Sequence, residues 1–136
     1  MRRWLLDTNV CIRLLANDEN SLRVIDRLDR VERSQVFISS ITAAELFFGV
    51  ERSARPAENL NRVRRFMAEF ELSEFGADAA EAYGTVRATL AASGRPIGPL
   101  DTLITAHAMA LKATVVTSNV REFRRVKGLK VADWLA

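Results

Sequence analysis

Short apolar runs alternate along the chain with longer segments in which apolar residues recur every three or four positions. The runs predict strands over residues 3 to 7, 36 to 39, about 71 to 75, 114 to 117 and a short last one near 129 to 131. The helical period predicts helices over residues 10 to 16, 21 to 32, 42 to 53, 58 to 70, 77 to 92 and 101 to 111. Such alternation is the signature of βα units and a parallel sheet. Pro56 separates the third helix from the fourth and predicts a helical hairpin inside one crossover; Pro96-Ile97-Gly98-Pro99 breaks the chain again before the sixth. The expected fold is α/β, one domain over residues 1 to 136, with a central, mostly parallel sheet of four or five strands flanked by helices.

In a sheet of this kind the helices that follow strands begin at the strands' carboxyl ends, so polar groups there converge. The first strand, in Arg3-Trp4-Leu5-Leu6-Asp7, ends on a carboxylate that an apolar interior rejects. Asp7 has a local explanation as the N-cap of the next helix. So has Glu45, three residues after Thr42 in the spacing of a capping box, with Ile41 and Leu46 as its hydrophobic staple. Asp101 falls in the first turn of a helix, where the macrodipole favours negative charge.

Taken together, the three acids come from three different crossovers and point toward one small region among apolar neighbours. Carboxylates crowded in this way are either partly protonated or neutralised by a cation. All-oxygen ligation fits Mg²⁺ or Mn²⁺ and argues against zinc. Asn119 follows the fourth strand and reaches the same face, either to cap the next helical turn or to hold a metal-bound water. Glu122 lies one turn further on, as a fourth ligand or as a solvated surface residue. Thr8, Asn9, Ser39 and Thr117 are candidates to orient the carboxylates by hydrogen bonds.

Composition narrows the chemistry further. A chain of 136 residues that is 49% hydrophobic has the means to bury a substantial core. One cysteine, Cys11, and one histidine, His107, exclude a disulfide framework or zinc cluster within the chain and suit a reducing cytosol. His107 stands six positions after Asp101, off its helical face, and Cys11 reads as buried packing. No segment approaches the roughly 20 apolar residues of a membrane span or the apolar region of a signal peptide, so a cytoplasmic protein without a membrane partner is expected. The net charge is only +3, but arginines cluster at Arg62, Arg64 and Arg65 and again at Arg121, Arg124 and Arg125, followed by Lys127 and Lys130. Such clusters suit phosphate contacts. There is no glycine-rich phosphate loop after a strand.

The segments "LLDTNV", "ISSITAAELFFGVERS", "GRPIGPLDTLITAHAMAL" and "ATVVTSNVREFRRVKGLKVADW" together resemble the PIN-domain family, and the last narrows the resemblance to VapC-type toxins of bacterial toxin–antitoxin pairs. The resemblance spans nearly the whole chain. It implies a Mg²⁺- or Mn²⁺-dependent endoribonuclease that cuts transfer RNA in the anticodon region or ribosomal RNA. It also implies inhibition by a small DNA-binding, VapB-like antitoxin, with homodimers and toxin–antitoxin hetero-oligomers. Asp7, Glu45 and Asp101 match the family's acidic metal site, whereas Asn119 stands where many members carry an aspartate, with Glu122 nearby. RNA contacts are expected from Arg121, Arg124 and Arg125.

Two other functional classes place acids or an apolar face in similar positions. A phosphoacceptor signalling domain predicts an aspartate after a middle strand; Ser39-Ser40 and Thr117-Ser118-Asn119 stand at those strand ends instead. A non-catalytic PIN-like binding module is the other alternative, and the three intact acids count against it. In both the toxin and the module, the apolar residues between Ala44 and Phe70, including Leu46, Phe47, Phe48, Val50, Leu60, Val63 and Phe66, predict a partner surface.

Overall fold

The structure, a computed structural model, describes residues 2–136. Its elements run β1 (Trp4–Leu6), α1 (Thr8–Ala16), α2 (Ser21–Leu28), a 3₁₀ turn (Arg33–Gln35), β2 (Val36–Ser39), α3 (Ser40–Glu51) and α4 (Pro56–Met67). They continue as β3 (Glu71–Ser73), α5 (Ala77–Ala92), α6 (Pro99–Leu111), β4 (Thr114–Val116), α7 (Val120–Phe123) and β5 (Val131–Ala132). The five strands form one sheet in the order β3-β2-β1-β4-β5, and every neighbouring pair is parallel.

The central strand explains the architecture. Leu5 and Leu6 are both fully buried, because a strand in the middle of a parallel sheet has helices over both faces. Successive side chains point to opposite faces. Leu6, Val36, Ile38 and Val116 accordingly join Val10, Val24, Leu46, Val63 and Phe66 in one core, while Leu5 and Val115 join Ile104, Ala108 and Phe123 in the other. Trp134 folds back onto Trp4, with ring centroids 5.0 Å apart, and so closes the C-terminal segment over β1.

Chain order reverses at β1. The connections from β1 build outward through β2 to β3, and the α5–α6 crossover then returns the chain to β4 on the other side of β1. Crevices at such a switch point, outside the carboxyl ends of the strands, are where open α/β sheets hold ligands. Asp7 stands there, its backbone N–H donating to Val116 O at 3.0 Å.

The expected elements are present, with differences at their ends. Helix α3 begins two residues before the expected position because Ser39, at the end of β2, accepts a hydrogen bond from Ile41 N at 3.0 Å and is the N-cap. Thr42 is therefore inside the helix, and the capping box expected from Thr42 and Glu45 does not form; Glu45 is left free to face another partner. Helix α2 ends at Leu28 and gives way to the 3₁₀ turn, short of the expected residue 32. Helices α4 and α6 each start on a proline at the first helical position, Pro56 and Pro99, where a missing N–H costs nothing. Among the described residues no helix is long and apolar enough to cross a membrane.

Candidate active site

Asp7 leaves β1 as the N-cap of α1, its Oδ1 accepting from Val10 N at 2.9 Å. It is only 2% exposed. Burial pushes its carboxyl above the ordinary carboxylate range, and the nearby charge of Glu45 pushes the same way. Hydrogen bonds from the Thr117 side chain and from the backbone N–H groups of Val10 and Asn9 oppose the shift. Asp7 thus caps a helix with one oxygen while the group faces other acids.

Glu45 projects from the second turn of α3 and is half-buried. Its Oε1 accepts a hydrogen bond from the Thr8 hydroxyl at 2.8 Å, and Thr8 Oγ1 lies 3.0 Å from Thr42 Oγ1. Thr8 has a single hydroxyl proton and gives it to Glu45, so Thr42 is the donor in the second bond. The relay Thr42 to Thr8 to Glu45 links α3 to α1 and sets the direction of the carboxylate. Thr42 was missed as a site residue because its spacing to Glu45 reads as a helix cap.

Asp101, in the first turn of α6, has its carboxyl pushed up to about 7. Burial is the largest cause, followed by the charge and hydrogen bond of Glu122 and then the charges of Asp7 and Glu45. Glu122 is held below the ordinary range, first by the Gly98 N–H, which donates to Oε1 at 2.8 Å, and also by Asn119, Asp101 and Arg125, against a smaller opposing effect of burial. Asn119 donates its side-chain N–H to Glu122 Oε2, and its backbone N–H donates to Thr117 Oγ1 at 2.9 Å. Asn119 stands at the N-cap position of α7 without a side-chain cap, and its amide holds Glu122.

Asp7, Glu45 and Asp101 line one cavity of about 410 Å³, together with Thr8, Asn9 and Leu100. The convergence expected of three acids from three crossovers is present. Among the described residues, however, no group of three His, Cys, Asp or Glu side chains is gathered tightly enough to hold an ion by protein ligands alone. The arrangement is an open arc. Each carboxylate has taken a separate partner: Asp7 the α1 terminus, Glu45 the Thr8 hydroxyl, Asp101 the neighbouring Glu122. Hard divalent ions of the Mg²⁺ type take one or two carboxylates and keep several waters, so an open oxygen-lined arc is a donor set they accept.

The remaining candidates divide. Thr8 and Thr117 do orient carboxylates, those of Glu45 and Asp7. Asn9 reaches Asp7 through its backbone N–H. Ser39 does not orient a carboxylate: its hydroxyl is taken by Ile41 N and by His107 Nδ1 at 2.8 Å, because it caps α3 from the end of β2. His107 is buried, with Nε2 3.0 Å from Ser73 Oγ and its ring edge-on to Phe75, so it ties α6 to β2 and β3. Cys11 is a fully buried packing residue. Arg121, Arg124 and Arg125 are exposed, and Arg125 donates to Pro96 O at 3.0 Å.

The expected partner surface is smaller than its residue list. Leu46, Val50, Val63 and Phe66 are core residues, packed between the α3–α4 hairpin and the sheet, while Phe47 and Phe48 remain exposed. Beside them runs a groove of about 340 Å³, floored by Ile12, Leu15, Leu46 and Gly49 and edged by Asn59 and Arg62. It shares Ile12 and Glu45 with the acidic cavity.

Comparison with known proteins gives this geometry a family. Residues 4–129 match the PIN domain family. The chain is 40% identical over 134 residues to a tRNA(fMet)-specific endonuclease VapC of Shigella flexneri, covering 98% of this chain and 99% of that one. It is 34% identical to ribonuclease VapC2 of Rickettsia felis, covering 96% and 97%. Among solved structures it superposes on DNA-bound VapBC from Salmonella typhimurium with a TM-score of 0.91 at 39% identity, over 98% of this chain and 99% of that one. The acid-lined switch point and these near-full-length likenesses agree: the chain belongs to the PIN-domain family, in its VapC branch.

Proposed function

We propose that this protein is the toxin of a toxin–antitoxin pair, a Mg²⁺- or Mn²⁺-dependent endoribonuclease that cleaves transfer RNA in the anticodon region. The observation that carries the reading is the shared cavity of Asp7, Glu45 and Asp101, in a chain whose VapC relatives are named ribonucleases and, in Shigella flexneri, a tRNA(fMet)-specific endonuclease. Asp7, Glu45 and Asp101 are the residues that would hold the ion. When bound, a hard divalent ion supplies an acidified water and offsets charge developing on the phosphoryl oxygens.

The chain's own residues account for the rest. Asp7 is anchored by the α1 N-terminus, so its position does not depend on a ligand. The Thr42–Thr8 relay keeps Glu45 turned to the cavity. Asp101, with its carboxyl near 7, takes up or releases a proton close to neutrality. Arg121, Arg124 and Arg125 offer cations to the RNA backbone beside the cavity, where the acids alone repel phosphate.

The antitoxin reading rests on relatives crystallised as VapBC complexes and on the groove that joins the acidic cavity at Ile12 and Glu45. A VapB-like segment lying along the α1, α3 and α4 groove would end at Glu45 and block access to the acids.

Calorimetric titration with Mn²⁺ and a cleavage assay on tRNA(fMet) test the proposal, each with wild type and Asp7→Asn. Asparagine still caps α1, so the variant is expected to fold. Loss of both Mn²⁺ binding and cleavage is expected. Full cleavage by a folded Asp7→Asn protein would overturn the assignment.

A further inference from the structure

A second cavity, of about 360 Å³, opens between α5 and the Pro96–Pro99 segment. It is lined by Tyr83 and Arg87 on one side, by Pro96, Ile97 and Pro99 on the other, with Thr102 among its polar groups. Its volume lies in the range of about 300 to 1,000 Å³ that small-ligand clefts occupy. Pro99 also lines the acidic cavity, so the two hollows meet across one residue at the start of α6.

The walls are chemically specific. Tyr83 and Arg87 are one helical turn apart on α5. Arg87 Nη1 donates to the Tyr83 hydroxyl at 3.0 Å, and its guanidinium carbon sits 5.9 Å from the Tyr83 ring centroid. The pair holds an aromatic face and a planar cation side by side at the surface. Facing them are proline rings and an aliphatic side chain, with no carboxylate among the lining residues. Arg125 reaches the same rim, where it donates to Pro96 O. An aromatic face, a guanidinium and apolar walls make a slot for an unstacked base, and a second arginine nearby suits its phosphate. The acidic cavity has apolar walls too, but its lining includes neither an aromatic ring nor a guanidinium.

We propose that this cavity is a nucleotide subsite, in which Tyr83 and Arg87 take up the base next to the bond cleaved at the acidic cavity of Asp7, Glu45 and Asp101. The subsite rests on the endoribonuclease reading above. It places the determinant of RNA position outside the acids, on a helix that none of the candidate site residues occupies. Single-stranded loops are the RNA elements whose bases can enter such a slot, whereas a base paired in a duplex cannot.

The test uses the full chain and the anticodon stem–loop of tRNA(fMet), fluorescent at one end. Anisotropy without added metal reads binding, and cleavage with Mg²⁺ reads kcat and KM. Tyr83→Ala is expected to weaken binding and raise KM by about tenfold, the loss of one stacked base, with kcat nearly unchanged. Tyr83→Phe keeps the aromatic face and is expected to stay within about twofold of wild type. Removing the base next to the cleaved bond from the RNA is expected to cost wild type the same factor and to cost Tyr83→Ala little more.

Wild-type KM in Tyr83→Ala and Arg87→Gln, with wild-type kcat, would overturn the subsite and leave the endoribonuclease standing. Failure of wild type to cleave with Mg²⁺ would instead sink the reading on which the subsite rests. If sedimentation shows Tyr83→Ala turning a dimer into a monomer, and RNA affinity follows the dimer fraction alone, the face is a contact between copies and the subsite is overturned. Arg87→Gln and circular dichroism guard against a Tyr83→Ala chain that does not fold.

Discussion

The hydroxyl of Thr8 donates to Glu45 Oε1 at 2.8 Å while the Thr42 hydroxyl supports it from 3.0 Å, so the direction of one acid is set by two threonines on two helices. A metal-ligating carboxylate is oriented by such bonds, and their removal typically costs about 10- to 100-fold in metal affinity. Thr8→Val keeps the volume and deletes the donor. It is expected to weaken Mn²⁺ binding by about that factor, read by calorimetry, whereas Thr8→Ser is expected to stay close to wild type.

The carboxyl of Asp101 implies a definite pH dependence. Its value rises from 3.8 to about 7 in the folded chain, with burial the largest cause. Between those values the folded state holds a proton that the unfolded state has released, so this group makes stability fall as pH rises toward 7. A bound cation needs the ionised form, and its affinity therefore increases over the same window. The thermal shift produced by Mg²⁺ is expected to be small near the acid end and large above about 7; in Asp101→Asn the dependence is expected to flatten, leaving what the raised carboxyl of Asp7 contributes.

His107 contributes with the opposite sign. Burial lowers its value below the ordinary 6.5, so the unfolded state takes up a proton first as pH falls. Its stabilising contribution is complete above 6.5 and is lost as pH drops through that value toward the folded one. Comparing melting curves of wild type and Asp101→Asn over this range separates the two groups. His107→Ala leaves Ser39 and Ser73 without their ring partner and opens a cavity; a loss of about 2 to 4 kcal/mol is expected from urea unfolding.

Gly84 offers a test of the fold apart from the site. It lies in the middle of α5, and a Cβ built there meets nothing within 4 Å. Gly84→Ala is expected to stabilise the chain by about 0.5 to 1 kcal/mol, read as a higher urea midpoint at unchanged slope.

The groove beside Phe48 makes a separate prediction. Gly49 forms part of its floor on α3 and has room for a side chain. Gly49→Gln fills the trough with a polar side chain and adds no charge one helical turn from Glu45, which lines the same groove. Co-expressed with a VapB-like antitoxin, it is expected to reduce co-purification while leaving RNA cleavage by the free toxin within about twofold of wild type, since a polar group left unpaired there must be desolvated on binding.

Much of the fold and of the acid set was legible along the chain. Period two and period 3.6 patterns depend on which faces are buried, and Leu5-Leu6 and Val115-Val116 are buried on both, which is why they read as unbroken apolar runs. The α5 span, 77 to 92, matches because no proline or competing cap interrupts it. The α3 start did not, since the spacing of Thr42 to Glu45 reads as a capping box and puts the expected start two residues late. Only the position of Ser39 at the strand end gives it Ile41 N.

The order of apolar runs, the prolines at helix starts and an acid after each of three crossovers belong to the sequence itself, because local sterics and burial periodicity act over a few residues. Which oxygens face one another does not. The Thr8–Glu45 bond spans 37 positions, the Gly98–Glu122 bond 24 and the His107–Ser39 bond 68. Those distances close only when the sheet turns back at β1 and brings helix termini from separate crossovers to a common edge. Tertiary packing therefore decided which carboxyl is pushed up and which is held down, and that the acids form an open arc beside a second, aromatic hollow.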